Sequence, residues 1–394
     1  MKIALVHNFH SDAVPSGENV VVDSEAEALR RAGHEVRIVG VRNDDMAAKP
    51  LHAARGAVTV ISGFGISPLS LLDGLQPDVV HVHNLFPYLG RRWVRQLDVP
   101  LVVTLHNYRP LCANGYLFRD GRVCTRCPDG QRWSGVRYGC YRDSRLATLP
   151  LAVANLGGGA GDPLLRAASA ILVLSERARR LYLDAGLPAA KLVRDWNFVP
   201  DHLAPAIGTS YGDAWLFVGR LSEEKGIDRL LAEWPADRRL VIVGDGPLRS
   251  ALEASAAQKP VTFLGSVSRS RVLDEMRRAT GLVMPSLWYE GFPVVYIEAL
   301  SVGLPTLAFP PNTVADAVAL EGTGVVAEWG RLPRALARAE ERFDRLRARC
   351  RAVFEDQYAE RAWVRRRIRL YEELIGRARA PETPTQATGC GEGR

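Results

Sequence analysis

Short apolar runs recur along the chain, each followed by a glycine-bearing or polar turn and then a stretch with helical spacing. The first run is Ile3 to Val6, followed by a loop with Pro15-Ser16-Gly17, a helix from Asn19 to Ala32 ending at Gly33, and a strand from Val36 to Val39. Strand, glycine-bearing loop, helix and strand make one βαβ unit. Val79 to Val82, Leu101 to Leu105 and Ile171 to Leu174 continue the series, alternating with helical stretches at Gly90 to Gln96 and Ser175 to Ala185. Runs that are apolar throughout, rather than at every second position, predict strands buried on both faces of a mostly parallel sheet.

The series then restarts. Trp215 to Val218, Leu240 to Val243, Thr262 to Leu264, Leu282 to Met284 and Thr306 to Ala308 read as strands, with helices near Ile227 to Glu233, Leu248 to Ala257, Ser268 to Arg278 and Phe292 to Val302. The break between the two series holds Pro200, Pro205, Gly208 and Gly212, which interrupt any periodicity. The expected organisation is α/β, with two tandem Rossmann-like doubly wound domains at 1–199 and 213–355 joined by a linker at 200–212. A ligand cleft is expected between them, at the carboxyl ends of the strands. An Arg-rich helical stretch runs from Leu332 to Arg379, and Val364, Ile368, Tyr371 and Ile375 form one apolar face along its last part. That part, 356–379, is expected to pack back on the first domain. Residues 380–394 have too little apolar surface to fold.

Length supports this division, because 394 residues exceed what one ordinary core organises. No apolar run reaches the roughly 18 residues of a membrane-spanning helix, and no signal peptide is read at the start. The cytoplasm is the expected compartment. The net charge of +7 suits nucleic acid, an anionic membrane surface or a phosphorylated small molecule, and its sign alone does not choose. A scattered basic surface arising from Arg-rich composition explains the charge equally well.

The chemistry-bearing residues gather in two segments. Phe217-Val218-Gly219-Arg220-Leu221-Ser222-Glu223-Glu224-Lys225-Gly226 ends a strand, turns and starts a helix, so Arg220 and Lys225 project where an anion would sit. Arg, Lys and helix amino termini stabilise negative charge growing on a leaving phosphate without a metal. The bland alternative is a pair of surface cations bridged to Glu223 or Glu224. In Met284 to Leu300, Glu290 lies in a loop and Glu298 inside an apolar helix opened by Pro293. A carboxylate there needs hydrogen-bonding partners, either sugar hydroxyls or a buried Arg.

These segments resemble those of the family 4 glycosyltransferases, retaining enzymes of the two-Rossmann-domain GT-B type. The matching pieces are Gly219-Arg220 through Lys225-Gly226, Gly244-Asp245-Gly246-Pro247, Phe263-Leu264-Gly265, and Glu290 through Glu298 with seven residues between the carboxylates. The resemblance implies that Glu298 binds the donor ribose and that Glu290 faces the transferred sugar. It implies that Arg220 and Lys225 bind the diphosphate, assisted by Gly219 and by the backbone of Gly291, Phe292, Pro293 and Val294. Leu264, Gly265 and Val267 would lie against the base. The donor would be a nucleoside diphosphate sugar, UDP-linked before GDP-linked, and no catalytic metal would be needed. Gly17, in Ser16-Gly17-Glu18, matches the place where the family brings backbone amides to donor phosphate, although Ser16 replaces a glycine there. His106 corresponds to a histidine contacting the transferred sugar, and otherwise reads as a hydrogen-bonded core histidine. His81 and His83 share one strand face, and His83 with Asn84 reaches the acceptor side.

Cys112, Cys124, Cys127 and Cys140, spaced C-x11-C-x2-C-x12-C, have the count and central C-x2-C of a structural zinc site within a cysteine-rich insertion at 107–145. A reduced set without metal is the alternative. The implied activity is transfer of a hexosyl group to an acceptor hydroxyl in glycan, polysaccharide or glycoconjugate synthesis. The acceptor, whether glycan, lipid-linked or small, is not legible. Peripheral contact with the inner face of a membrane would rest on Arg365, Arg366, Arg367 and Arg369. A sugar-nucleotide epimerase shares the architecture and stays open, as does a zinc-bearing nucleic-acid binder. The absence of a dense aromatic-and-basic groove motif disfavours nucleic acid as a partner.

Overall fold

The computed structural model describes residues 1–11, 17–200 and 212–379. Ser16, most of the expected linker and the tail at 380–394 lie outside the described residues.

The first sheet contains β1 (Lys2–Phe9), β2 (Glu35–Arg42), β3 (Val79–Asn84) and β4 (Leu101–Leu105). A small hairpin of β5 (Phe118–Arg119) and β6 (Arg122–Val123) follows, before β7 (Ala170–Val173) and β8 (Leu192–Arg194) complete the sheet. Its order is β2-β1-β3-β4-β7-β8, all parallel. The second sheet contains β9 (Ala214–Val218), β10 (Arg239–Val243), β11 (Val261–Gly265), β12 (Leu282–Met284), β13 (Thr306–Ala308) and β14 (Gly324–Val326). Its order is β11-β10-β9-β12-β13-β14, again all parallel. In both sheets helices cover the two faces, which is why the strands are apolar end to end. The second order is that of a dinucleotide-binding Rossmann sheet, whose ligand crevice opens where the order reverses, between β9 and β12. Arg220 follows β9 and Glu290 follows β12, so the fold itself brings the two motif segments together.

Three local expectations are corrected. Gly90 to Gln96 holds only a 3-10 turn at Arg92–Gln96, because Trp93 and Val94 are held down against the core rather than aligned on a helix face. The edge strands β8 and β14 are additions to the strands expected from the sequence. The stretch from Leu332 to Arg379 is two helices, Leu332–Val353 and Glu360–Arg379, joined by a π-helical turn at Phe354–Tyr358 and an extended Ala359. Ala359 bridges to Val199, so the chain crosses back to the first domain at that point.

The last helix completes the first domain's core. Trp363 and Tyr371 are buried, and Val364, Ile368 and Ile375 pack with them against strand residues Ile3, Val102 and Leu172. Arg367 is 2% exposed and donates to Glu25 and Asp195. The apolar face and the central arginine are therefore consumed by packing on the first domain, and neither is left for the alternative of a membrane contact by this helix.

Candidate active site

The ends of β1, β4, β9 and β12 enclose a cleft of about 560 Å³, a size that accommodates a drug-sized or nucleotide-sized ligand. Its walls carry His10, Gly17, Glu18, His106, Asn107 and Arg109 from the first domain. They carry Arg220, Lys225, Trp288, Glu290 and Gly291 to Val294 from the second.

Two glycines set the approach of these segments. A Cβ on Gly226 (φ +66°) would stand 2.3 Å from the Pro285 carbonyl oxygen, so only glycine lets the Arg220–Lys225 loop pack on the loop after β12. A Cβ on Gly291 would stand 2.8 Å from the His106 carbonyl oxygen, so glycine also permits the contact between β4's end and the second domain. By contrast, a Cβ on Gly17 would meet nothing within 4 Å, because that side of the residue faces open cleft at the start of helix Gly17–Arg31.

Lys225 Nζ donates to Glu290 Oε1 at 2.9 Å, and Ser286 Oγ donates to the same oxygen. Glu290 is buried at 3% exposure, and its main-chain carbonyl accepts from Thr313 Oγ1 at 2.8 Å. Lys225 thus pairs with Glu290, not with Glu223 or Glu224. Arg220 is exposed and its guanidinium has no hydrogen bond or ion pair among the described residues, which leaves its five donors available to a ligand. The helix Val294–Ser301 begins at the cleft with Pro293 before it, so its unpaired amides face the same space.

Glu298, Gly219, Leu264, Gly265 and Val267 are not in the lining of this cavity. Glu298 is buried and accepts from Arg269 Nε at 2.8 Å, and burial pushes its carboxyl up against the pull of that arginine. Its partner in this state is therefore the arginine that the sequence left as an alternative to sugar hydroxyls. Leu264 and Val267 are half-buried and pack against the second domain's core.

His106 Nε2 lies 3.0 Å from His83 Nδ1, with the rings stacked. Behind them His83 Nε2 is 3.5 Å from Glu25, and Glu25 accepts from Arg367 Nη1 at 2.8 Å. Burial, followed by the charges of His81 and His106, holds the His83 pKa well below its ordinary value. His106 is lowered too, again chiefly by burial. His106 thus enters the cleft as the front member of a buried, largely neutral chain. His81, on the same strand, lies further inward, bonded to Tyr371 and Thr104.

The sequence missed Glu18, His10, Asn107, Arg109, Tyr116 and Trp288. Burial pushes the Glu18 carboxyl up, but hydrogen bonds from His10 and Asn107 and the nearby His106 outweigh it and hold the pKa at about 2. Glu18 therefore stands ionised on the wall opposite Arg220. Tyr116 meets the Trp288 ring edge-on at 5.0 Å, joining the cysteine-rich segment to the second domain. An acidic residue in the first turn of the helix after β1 was the available signal for Glu18. Nothing local marks the aromatic pair.

The four cysteines line one enclosed cavity of about 20 Å³ and form no disulfide. Burial pushes the Cys112, Cys127 and Cys140 thiols up, the last to about 11, while backbone amides at Leu117, Asn114 and Gly115 favour the Cys112 thiolate. Tetrahedral zinc, with Zn–S near 2.3 Å, needs sulfurs roughly 3.8 Å apart. Among the described residues, only Glu25, His81 and His83 bring three ligand atoms all within 4.8 Å of one another. The cysteines point at a shared centre but must close to hold zinc. The Glu25 group is already served by Arg367, whose positive charge opposes a cation there.

Residues 15–201 match the family model described as Glycosyltransferase Family 4, and residues 212–343 match Glycosyl transferases group 1. The chain is 30% identical to GDP-mannose-dependent alpha-(1-6)-phosphatidylinositol dimannoside mannosyltransferase of Mycobacterium tuberculosis, over 89% of this chain and 90% of that protein. It is 28% identical to GDP-mannose-dependent alpha-mannosyltransferase of the same species, over 86% of this chain and 87% of that protein. A further relative, 32% identical, is matched over only 18% of its own length. In fold, the chain is similar to sucrose-phosphate synthase from Thermosynechococcus elongatus, with TM-score 0.67 and 19% identity, covering 95% of this chain and 99% of that one.

Proposed function

The chain belongs to glycosyltransferase family 4, and from that premise we propose that it moves a hexosyl group from a UDP- or GDP-linked sugar to an acceptor hydroxyl with retention at the anomeric carbon. The observation that carries this reading is Arg220, its guanidinium without a partner among the described residues, sharing one cleft with Glu290-paired Lys225 and the start of helix Val294–Ser301. In the proposed reaction, the bond from the anomeric carbon to the diphosphate oxygen breaks. Negative charge grows on the leaving phosphate, and Arg220, Lys225 and the helix amides stabilise it. The acceptor oxygen attacks from the same face, and its proton passes to a leaving-phosphate oxygen, so no protein nucleophile is used. Glu290, fixed by Lys225 and Ser286, is assigned to hydroxyls of the transferred sugar, and His106 to its other side.

The amides at Gly17 are assigned to the donor phosphates, since the place of its missing Cβ is open cleft. On donor binding, Glu298 would exchange Arg269 for the ribose hydroxyls, with Leu264, Gly265 and Val267 against the base and Gly219 beside the diphosphate. Two of the relatives aligned over most of this chain are named for GDP-mannose, which makes guanine and uracil the two arms of the donor test. A thermal-shift panel of UDP- and GDP-sugars identifies the donor, since a bound ligand stabilises by mass action. NMR of the product then reads its anomeric configuration, and inversion would overturn the mechanism.

The cysteine-rich segment is proposed to be a structural pin rather than a chemical one. Its Tyr116 rests on Trp288, so closing the four thiols around zinc would steady the cleft wall. Elemental analysis of the purified protein should find about one zinc per chain, lost when Cys124 and Cys127 are both changed to Ser. Metal-free protein of full activity would end this reading.

A further inference from the structure

Arginines packed into the first domain need a counter-charge, and Arg367 and Arg91 have one. Arg367 pairs with Glu25 and Asp195, and Arg91 donates to Asp162 at 2.8 Å. Half-buried Arg109 has no carboxylate within ion-pair reach among the described residues, although burial makes its charge costly and pulls its pKa down. Its Nη1 donates to the Ala113 carbonyl at 3.1 Å, and the guanidinium lies over the Phe86 ring at 4.1 Å. The main chain is fixed as well, because Arg109 N donates to Asn107 Oδ1 and the Arg109 carbonyl accepts from Asn155 Nδ2. Nε and Nη2, the pair that forks around an oxyanion, have no hydrogen-bond partner among the described residues. A guanidinium held this firmly, with that edge free and no counter-charge, suits an anionic ligand.

Its place gives that anion a role. A second cavity, of about 130 Å³, lies beside the cleft, and His106, Asn107 and Arg109 line both. The smaller cavity is walled by Leu85, Leu89, Leu151 and Leu164, and its other charged groups, Arg91 and Asp162, satisfy each other. His83 and His106 are kept largely neutral by burial. In the cleft, Lys225 and Glu290 form a pair. Glu18 favours the charge on Arg109, but its two oxygens are taken by His10 and Asn107. Two guanidiniums of the cleft are thus left without a carboxylate, Arg220 on the second domain and Arg109 on the first. The donor diphosphate is assigned to Arg220. Arg109 stands on the other wall, beside His106, where the acceptor must enter.

We propose that Arg109 forms an anion subsite on the acceptor side, so that the acceptor carries a phosphate or carboxylate close to the hydroxyl that receives the sugar. Nε and Nη2 hold two oxygens of that group, and the apolar walls of the smaller cavity receive the carbons that bear it. Arg109 then selects the acceptor and makes no contact with the donor. The identity of the anion as acceptor rests on the transfer reaction proposed above; an anion site at Arg109 does not.

The test is calorimetric titration of the full chain, with and without saturating UDP or GDP. The probes are glycerol 3-phosphate, a methyl hexuronide, dihexanoyl phosphatidylglycerol below its micelle concentration and, as the uncharged counterpart, a methyl hexoside. The titrations are repeated on Arg109→Gln, Arg109→Lys and Arg220→Ala, with near-ultraviolet circular dichroism as the check of folding. At least one anionic probe should bind with nucleotide in place and more tightly than the methyl hexoside. Which probe binds tells a small phosphate ester, a sugar carboxylate and a lipid phosphate apart. Arg109→Gln should weaken that binding roughly tenfold or more, and Arg220→Ala should leave it unchanged. Arg109→Lys keeps the charge without the fork and should weaken it severalfold, which decides the matter alone if Arg109→Gln does not keep the parent's spectrum. Anionic probes that bind no better than the methyl hexoside, or equally well to the Arg109 variants, would overturn the proposal. So would anion binding that nucleotide displaces and Arg220→Ala abolishes, because the anion would then occupy the donor's place. Arg109-dependent binding by a chain that takes neither nucleotide would count against the donor reading and leave the anion subsite standing.

Discussion

Replacing Arg367 with Met removes the one buried guanidinium among the described residues while keeping much of its length. In the structure that group donates to Glu25 at 2.8 Å, to Asp195 at 2.9 and 3.1 Å, and lies 3.2 Å from His81 Nδ1. Burial favours an uncharged Arg367, but Glu25 and Asp195 outweigh it and hold the guanidinium charged. Glu25 and Asp195 are 2% and 5% exposed, so Arg367→Met strands two carboxylates away from water. Removing one partner of a buried ion pair costs about 3–5 kcal/mol. Asp195 keeps a contact with half-buried Arg366 at 3.3 Å, which places the expected loss near the middle of that range. A loss of about 4 kcal/mol is a large part of a typical domain's total of roughly 5–15. The assay is urea unfolding at pH 8 and pH 5, with Arg369→Met as control, since Arg369 is 82% exposed and pairs only with Glu373. Burial already pushes Glu25 up to about 7 against the pull of Arg367, and without that pull its pKa rises further. A carboxyl raised in the folded state is relieved by protonation as pH falls, so the variant's deficit should be largest at pH 8 and smaller at pH 5. A deficit below about 1 kcal/mol, or one unchanged by pH, would refute the view that this helix is held in the core by a compensated buried charge.

Three further outcomes follow from the cleft. Gly291→Ala should force the loop off the His106 carbonyl, 2.8 Å from the new methyl, weakening donor binding and costing roughly 1–3 kcal/mol in unfolding experiments. Lys225→Met should lower the transfer rate by roughly a hundredfold or more while leaving Glu290 with Ser286 as its side-chain donor, read by steady-state kinetics. Trp288→Ala, which takes away the ring that Tyr116 meets, should raise KM for donor more than it lowers kcat if that contact shapes the cleft wall.

The sequence was legible where chemistry and local pattern coincide. The apolar runs located most strands, and the glycine-flanked Arg220–Lys225 loop and the Glu290–Glu298 segment stand out because each follows a strand. It was silent where partners meet only through the fold. Glu25 and Arg367 are 342 positions apart, and nothing around either one announces the other. The same holds for Lys225 with Glu290, where the only acidic partners the sequence offered were the alternatives Glu223 and Glu224, and for Glu298 with Arg269. The sequence put the hand-over to the last helix at 355–356 but read the stretch as helical throughout, and the π-helical turn at Phe354–Tyr358 with the bridge from Ala359 to Val199 supplies the break.

The central claim is that the cleft binds a nucleoside diphosphate through Arg220, and titration calorimetry of UDP and GDP against the unaltered chain and Arg220→Ala tests it most directly. A hydrogen-bonded charge pair of this kind contributes about 1.5–3 kcal/mol, so one of the two nucleotides should bind with an affinity that falls roughly ten- to a hundredfold in the variant. Equal affinity in both proteins, or binding of neither nucleotide to the unaltered chain, would contradict it.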